Sequence, residues 1–206
     1  MVTMIERITP VILTYNEEAN IRRTLEALHW ASDIVVVDSF STDRTLDILA
    51  AFANARVFQR QFDKHAKQWN YAISETDIQT EWVLALDADY VVTPPLLDEL
   101  KQLEALPDIA GYRADFRYCI EGKPLRGTLY PPVTVLFRKS AAKYVQDGHT
   151  QRVVVNGRVG ELSSCMLHDD RKSLSSWLQA QNRYMTLEAE LLCKSAWRDA
   201  SWPDRL

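Results

Sequence analysis

Trp82-Val83-Leu84-Ala85-Leu86-Asp87-Ala88-Asp89 sets five consecutive apolar residues directly before two carboxylates separated by one alanine. An unbroken apolar run of this length, without polar alternation, suits a strand covered on both faces, as in a parallel sheet with helices on either side. The abrupt change at Asp87 places both carboxylates where such a strand leaves the sheet. In open α/β sheets ligands bind outside those carboxyl ends.

Upstream, the same unit occurs twice more. Ile8 to Leu13 reads as a strand interrupted only by Thr9 and Pro10, and Asn16 is expected to cap a helix that buries Ile21, Leu25 and Leu28. Ile34-Val35-Val36-Val37 is a β-branched strand, and Ser41-Thr42-Asp43 can start a helix with Leu46, Leu49 and Phe52 inward. Val57-Phe58 is a weaker strand, and Ala66 to Ile73 reads as a helix opening near Lys64 and His65. Strands alternating with helices predict an α/β fold with a mostly parallel, Rossmann-like sheet flanked by helices.

Downstream, Pro94-Pro95 opens a helix through Leu96, Leu97, Leu100 and Leu103. From Gly111 the pattern changes to strands with Gly and Pro turns: Tyr112 to Ile120, Thr134 to Phe137, and Val153 to Val155 before Asn156-Gly157. The sheet is therefore expected to become mixed in this half. A final amphipathic helix from Ser173 carries Leu174, Trp177, Leu178, Tyr184, Met185, Leu191 and Leu192, a face expected to be covered by core or a subunit. Trp197 and Trp202 follow as candidates for an interfacial tail.

With 206 residues, 47% hydrophobic and 25% charged, the chain has the composition of one globular domain over 1–206. A net charge of −4 with mixed signs gives no footprint for nucleic acid. Cys119, Cys165 and Cys193 are odd in number and form no CxxC pair, which argues against a disulfide framework or zinc cage and fits a reducing cytoplasm. Met1 to Arg7 lacks a signal-peptide pattern, and no apolar stretch approaches a membrane span. A cytoplasmic protein is expected, with peripheral attachment to the inner membrane face left open.

Three strand ends become polar together: Thr14-Tyr15-Asn16-Glu17, Asp38-Ser39-Phe40-Ser41-Thr42-Asp43, and Asp87-Ala88-Asp89. No GxGxxG or GxxxxGK[ST] loop follows any of them, so backbone N–H groups do not supply the usual phosphate cradle. Two carboxylates at i and i+2 on a rigid strand end can instead hold a hard divalent cation with positions open to phosphate oxygens. Acidic pairs at this spacing are common on surfaces, and Glu17 and Asp43 also suit helix N-termini, where negative charge offsets the macrodipole. The buried strand before Asp87 separates this pair from those cases.

VILTYNEEANIRRTLEAL (11–28), IVVVDSFSTDRTLDIL (34–49), KQWNYAI (67–73) and EWVLALDADYVVTPPLLDEL (81–100) together resemble the family 2 glycosyltransferases of the GT-A fold. The likeness is greatest to bacterial members that build lipopolysaccharide cores and exopolysaccharides, including β-1,4-glucosyltransferases. It implies an inverting transfer from a nucleotide-diphospho-sugar, a UDP-sugar by preference, to a glycan or lipid-linked saccharide, with Mg²⁺ or Mn²⁺. The resemblance puts Thr14 and Glu17 beside the nucleoside, Asp38 on the base and Asn70 along the nucleotide pocket. It also puts Lys67 toward the diphosphate, Asp87 near the ribose and donor sugar, and Asp89 on the metal. Residues 1–106 would bind the donor, 107–172 the acceptor, and 173–206 form the helix and tail. Many relatives have Asp-Gly or Ser-Gly where this chain has Ser39-Phe40, which alters that turn.

An inverting transferase needs a base for the acceptor hydroxyl. Asp147-Gly148-His149-Thr150 is the candidate segment, with Asp147 preferred and His149 the other choice, because Thr150 stands where relatives carry a glutamate. Asp147-Gly148 also suits an ordinary hairpin turn. His168 in His168-Asp169-Asp170-Arg171-Lys172 resembles a late metal-ligating histidine, and Arg171 offers a donor fork for the diphosphate. Arg171 and Lys172 equally suit solvated residues before the Ser173 cap. Three other readings remain: a polyprenyl-phosphate sugar synthase, a sugar nucleotidyltransferase, and a non-catalytic or truncated nucleotide-sugar-binding domain.

Overall fold

A computed structural model describes residues 3–127, 131–147 and 150–194. Its central sheet is built on β1 (Ile8–Thr14), β2 (Ile34–Asp38), β3 (Ala55–Gln59) and β4 (Trp82–Asp87). These run parallel in the order β4-β1-β2-β3. Thr9 and Pro10 do not interrupt β1, since Pro10 stays in register with Leu84 and the Thr80 hydroxyl bonds that of Thr9 at 2.8 Å.

The period of two within these strands explains their unbroken hydrophobicity. Ile12, Ile34, Val36, Trp82, Leu84 and Leu86 face one layer, with α1 (Ile21–Glu26) and α4 (Pro94–Gln102). Val11, Val35, Val37, Val83 and Ala85 face the other, against Ala66, Trp69, Ala72 and Ile73 of α3 (His65–Ser74). Each fully buried Val or Leu stabilises the fold by about 1.5–3 kcal/mol over its exposed state, so covering both faces locks register as well as burying surface. The short α2 (Thr45–Leu49) follows β2.

Beyond residue 106 the sheet becomes mixed, as expected. β6 (Ile109–Ala114), β9 (Val133–Arg138) and β12 (Arg158–Glu161) extend it to the order β12-β6-β9-β4-β1-β2-β3. β9 runs antiparallel to β4 and β6. The strand expected from Tyr112 to Ile120 is two strands broken at Asp115. Its second part, β7 (Phe116–Ile120), joins β5 (Tyr90–Val91), β8 (Lys123–Pro124) and β13 (Met166–His168) in a separate small sheet. This sheet carries His168 beside Tyr90, directly after the acidic triplet.

β10 (Ala142–Asp147) and β11 (Thr150–Val155) form an antiparallel hairpin over α3, with Tyr144 stacked on Trp69 at a centroid distance of 5.0 Å. α5 (Leu174–Lys194) completes the described chain. Its apolar face, expected to be covered, is open: Leu174, Trp177, Leu178, Met185 and Leu187 are all exposed. No helix among the described residues is long and apolar enough to cross a membrane. Trp197 and Trp202 lie outside the described residues.

Candidate active site

The parallel register brings the three polar strand ends together, with Thr14 opposite Asp38 across β1/β2 and Leu13 opposite Asp87 across β1/β4. Both turns after β1 and β2 pass through the left-handed region, at Asn16 (φ 53°) and Phe40 (φ 62°). Asn16 therefore does not cap α1. Its side-chain oxygen accepts from the Thr42 N–H at 2.8 Å and fastens one loop to the other, while Asn20 occupies the helix N-cap. Phe40 takes the backbone conformation that glycine tolerates at no steric cost, and its ring is exposed.

Asp38 is fully buried and serves its own loop. Its carboxylate accepts from the Thr14 hydroxyl at 3.0 Å, the Ser41 N–H at 2.9 Å, the Ser41 hydroxyl, and the Gln59 amide at 3.4 Å. Gln68, also fully buried, extends this network by donating to Ser39 at 3.1 Å and to the Arg60 carbonyl at 3.2 Å.

The acidic end of β4 differs. The triplet's backbone is held from both sides: the Thr24 hydroxyl donates to the Ala88 carbonyl at 2.7 Å, and the Asp169 N–H to the Asp89 carbonyl at 3.0 Å. The Asp89 carboxylate meets His168 Nε2 at 3.0 Å. Tyr90 and Tyr118 flank the imidazole at centroid distances of 5.1 and 4.4 Å, the first edge-on and the second tilted. Loss of solvent and the nearby Asp89 charge push Asp87 up to about 6, against the opposing pull of His168, the Tyr90 hydroxyl and Lys172. Burial works to lower the His168 pKa, but Asp89, with Asp87 and Asp170, outweighs it and raises the value.

Glu17 enters the same acidic group from the β1 loop. Burial lifts its carboxyl to about 7, opposed by Lys172 and Asn20 and assisted by Asp89. One Glu17 oxygen takes the Lys172 ammonium, and the other accepts from Asn20 at 2.8 Å. Asn20, fully buried, is the hub the sequence reading missed: it donates to Glu17 and to Asp170 at 2.8 Å. Its oxygen accepts from the Arg171 N–H at 2.8 Å and from the Arg23 guanidinium at 3.0 Å. The available signal was periodicity, since Glu17, Asn20 and Thr24 share helical spacing with Ile21, Leu25 and Leu28.

The remaining site candidates occupy other positions. The Lys67 side chain is 63% exposed and pairs with Asp63 on its own helical turn at 3.0 Å. Asn70 clasps the hairpin, donating to the Tyr144 carbonyl and accepting from its N–H, both at 2.9 Å. Arg171 donates to Asp169 at 2.7 Å and lies across Gly122, where a Cβ would come within 2.0 Å of Nη2. Asp147 ends β10 and pairs in register with Thr150. His149 itself lies outside the described residues. Burial raises the pKa of Tyr184 in α5, with Arg183 opposing it and Asp87 adding to it.

Among the described residues no three His, Cys, Asp or Glu side chains converge as a metal cage. Asp89 and His168 nevertheless fit two adjacent positions of an open octahedral site. Ligands about 2.1 Å from an octahedral cation stand about 3.0 Å apart, which is the separation observed. A carboxylate and an imidazole together suit Mn²⁺, and the carboxylate suits Mg²⁺.

The family model described as "Glycosyl transferase family 2" matches residues 9–153. The lipopolysaccharide core biosynthesis glycosyltransferase LpsC of Rhizobium meliloti is 29% identical over 203 residues, covering 91% of this chain and 72% of that protein. An uncharacterized glycosyltransferase of Rickettsia bellii is 34% identical over 101 residues, or 48% of this chain and 33% of its own length. Among solved structures, S. aureus TarS 1-349 in complex with UDP-GlcNAc superimposes with a TM-score of 0.62 at 16% identity, covering 81% of this chain and 59% of that one. That likeness shows the shared GT-A fold. The chain thus spans about three fifths of the TarS fragment and about seven tenths of LpsC.

Proposed function

The chain belongs to glycosyl transferase family 2, and we propose that it transfers a sugar, with inversion, from a nucleotide-diphospho-sugar to a glycan or lipid-linked saccharide of the cell envelope. The observation that carries this reading is the meeting of Asp89 and His168 at 3.0 Å, 79 residues apart in the chain, beside the aligned ends of β1, β2 and β4. The name of LpsC supports the envelope acceptor, and the UDP-GlcNAc in TarS supports a uridine donor.

In this reading Asp38 contacts the base, Thr14 and Glu17 border the nucleoside, and Asp87 faces the ribose and donor sugar. Asp89 and His168 hold Mg²⁺ or Mn²⁺, which when bound supplies Lewis acidity for the departing diphosphate. The acceptor hydroxyl attacks the anomeric carbon, the bond to the diphosphate oxygen breaks, and the hydroxyl proton passes to Asp147. His149, two residues on in the sequence, is the alternative base. The reaction is placed on the cytoplasmic side of the membrane, with the open apolar face of α5 as the means of peripheral attachment.

The test is thermal stabilisation by a panel of nucleotide sugars with and without Mn²⁺, since a ligand bound to the folded state raises its apparent stability. A metal-dependent rise with one nucleotide sugar that is lost in Asp89→Ala is expected. A wild-type protein indifferent to every nucleotide sugar refutes the reading. Transfer persisting in both Asp147→Asn and His149→Gln would favour a polyprenyl-phosphate acceptor, which needs no base.

A further inference from the structure

We propose that Lys172 is the cation that meets the donor's diphosphate, and that Glu17 holds it at the site until the donor arrives. This rests on the nucleotide-sugar reading and assigns a role that neither Lys67 nor Arg171 is placed to fill. Lys67 points its charge at Asp63 in a largely solvated pair, and such pairs are weak and screened. The Arg171 guanidinium is built into the fold through Asp169 and the β7–β8 turn.

Lys172 differs from both. Its side chain is 30% exposed, and among the described residues its ammonium has one hydrogen-bond partner, Glu17, which is itself 14% exposed. An ammonium carries three donors, so two remain for a ligand. The position is fixed by the backbone. The Lys172 N–H donates to Asp170 at 2.9 Å, Asp170 accepts from Asn20, and Asp169 donates to the Asp89 carbonyl.

The segment that carries Lys172 is tied to the triplet, since the Asp169 N–H donates to the Asp89 carbonyl at 3.0 Å and His168 meets the Asp89 carboxylate at 3.0 Å. A lysine is also a suitable phosphate partner here, because a compact charge on a flexible stem can exchange one oxygen for another. Burial lifts the Glu17 carboxyl to about 7. Losing Lys172 to a ligand therefore leaves a group able to take up a proton near neutral pH, and not a stranded anion.

The test compares a nucleoside diphosphate with its parent nucleoside by ligand-observed NMR titration in Mg²⁺. The probe is whichever of UDP, GDP, CDP and dTDP binds the wild type most tightly. Lys172→Met should lose about tenfold to a hundredfold in diphosphate affinity, the size of a charge-assisted hydrogen bond. The nucleoside should bind Lys172→Met as it binds the wild type, and Lys172→Arg should recover most of the loss. Glu17→Gln, which can still accept from Asn20 but no longer anchors the ammonium by charge, should lose part of the diphosphate affinity that Lys172→Met loses, and should add little to the loss when combined with it.

Unchanged diphosphate affinity in Lys172→Met overturns the assignment while leaving the donor reading intact. Parallel loss of nucleoside and diphosphate shows a structural role and also overturns it. Unchanged diphosphate affinity in Glu17→Gln removes the holding role. A wild type that binds none of the four diphosphates refutes the donor reading, and the Lys172 role with it. Should Lys172→Met fail to fold, weakened diphosphate but not nucleoside binding in Lys172→Ala decides the matter, and equal binding overturns the role.

Discussion

Asp38 and Asp87 end two parallel strands of one sheet, with β1 between them, yet their surroundings are opposite. Asp38 is fully buried and receives hydroxyl and amide donors from its own and neighbouring strands. Asp87 is pushed up to about 6 by burial and then by the Asp89 charge, against the pull of His168, a Tyr90 hydrogen bond and Lys172. A carboxylate whose oxygens are all satisfied holds a loop in shape. A buried carboxylate raised further by a neighbouring negative charge is stabilised by an arriving cation.

The largest expected effect separates these roles. Asp89→Ala should lower transfer to the acceptor by about 10²- to 10³-fold while changing stability by no more than about 1 kcal/mol, because it removes a charge from an already acidic group. Asp38→Ala should instead destabilise the protein by about 3 kcal/mol through the orphaned Ser41 and Thr14 donors, besides losing the base contact proposed for it. Chemical denaturation and initial rates on both variants check this. An Asp89→Ala protein as unstable as Asp38→Ala would erase the distinction.

A smaller effect concerns the turn after Asp38. Phe40 sits at φ 62°, and relieving a non-glycine residue of that conformation is worth about 1 kcal/mol. Phe40→Gly should therefore raise the denaturation midpoint slightly. If the exposed ring covers the donor base, the same variant weakens nucleotide binding while becoming more stable, an outcome that thermal shift with and without nucleotide resolves.

The smallest effect is a pH dependence. Glu17 has a folded pKa of about 7 against an ordinary 4.5. Between those values the folded protein keeps a proton that the unfolded chain has released, so rising pH removes stability across this window. Glu17→Gln should gain in Tm relative to the wild type from about pH 4.5 to 7 and then hold a constant difference. A flat difference throughout would mean the Lys172 pair keeps Glu17 ionised.

Much of the first hundred residues was legible because their signals are local. Trp82 to Leu86 and Ile34 to Val37 are buried on both faces, and both runs emerge as strands in the expected order. The break at Asp115 was not legible, since alternation continues through it and only membership of two different sheets reveals it. Asn16 resembled a helix cap from its neighbours alone; its true partner, Thr42, lies in another loop. Lys172 read as solvated because its burial depends on Glu17, 155 residues away. The exposed face of α5 carries ordinary amphipathic spacing, and spacing does not say what covers a face.

The Asn20 hub also bears on the order of events during synthesis. Its bonds to Asp170 and Arg171 span 150 and 151 residues, and Arg23 reaches Asp169 across 146. The parallel core can form as soon as β4 leaves the ribosome, because N-terminal regions fold first. Its acidic edge then waits for the last strand of the small sheet to deliver histidine and lysine together. A nascent chain halted before Met166 should hold its core yet bind a nucleoside diphosphate no better than its nucleoside, so catalytic competence arrives with the closing of the chain upon itself and not with the folding of the sheet.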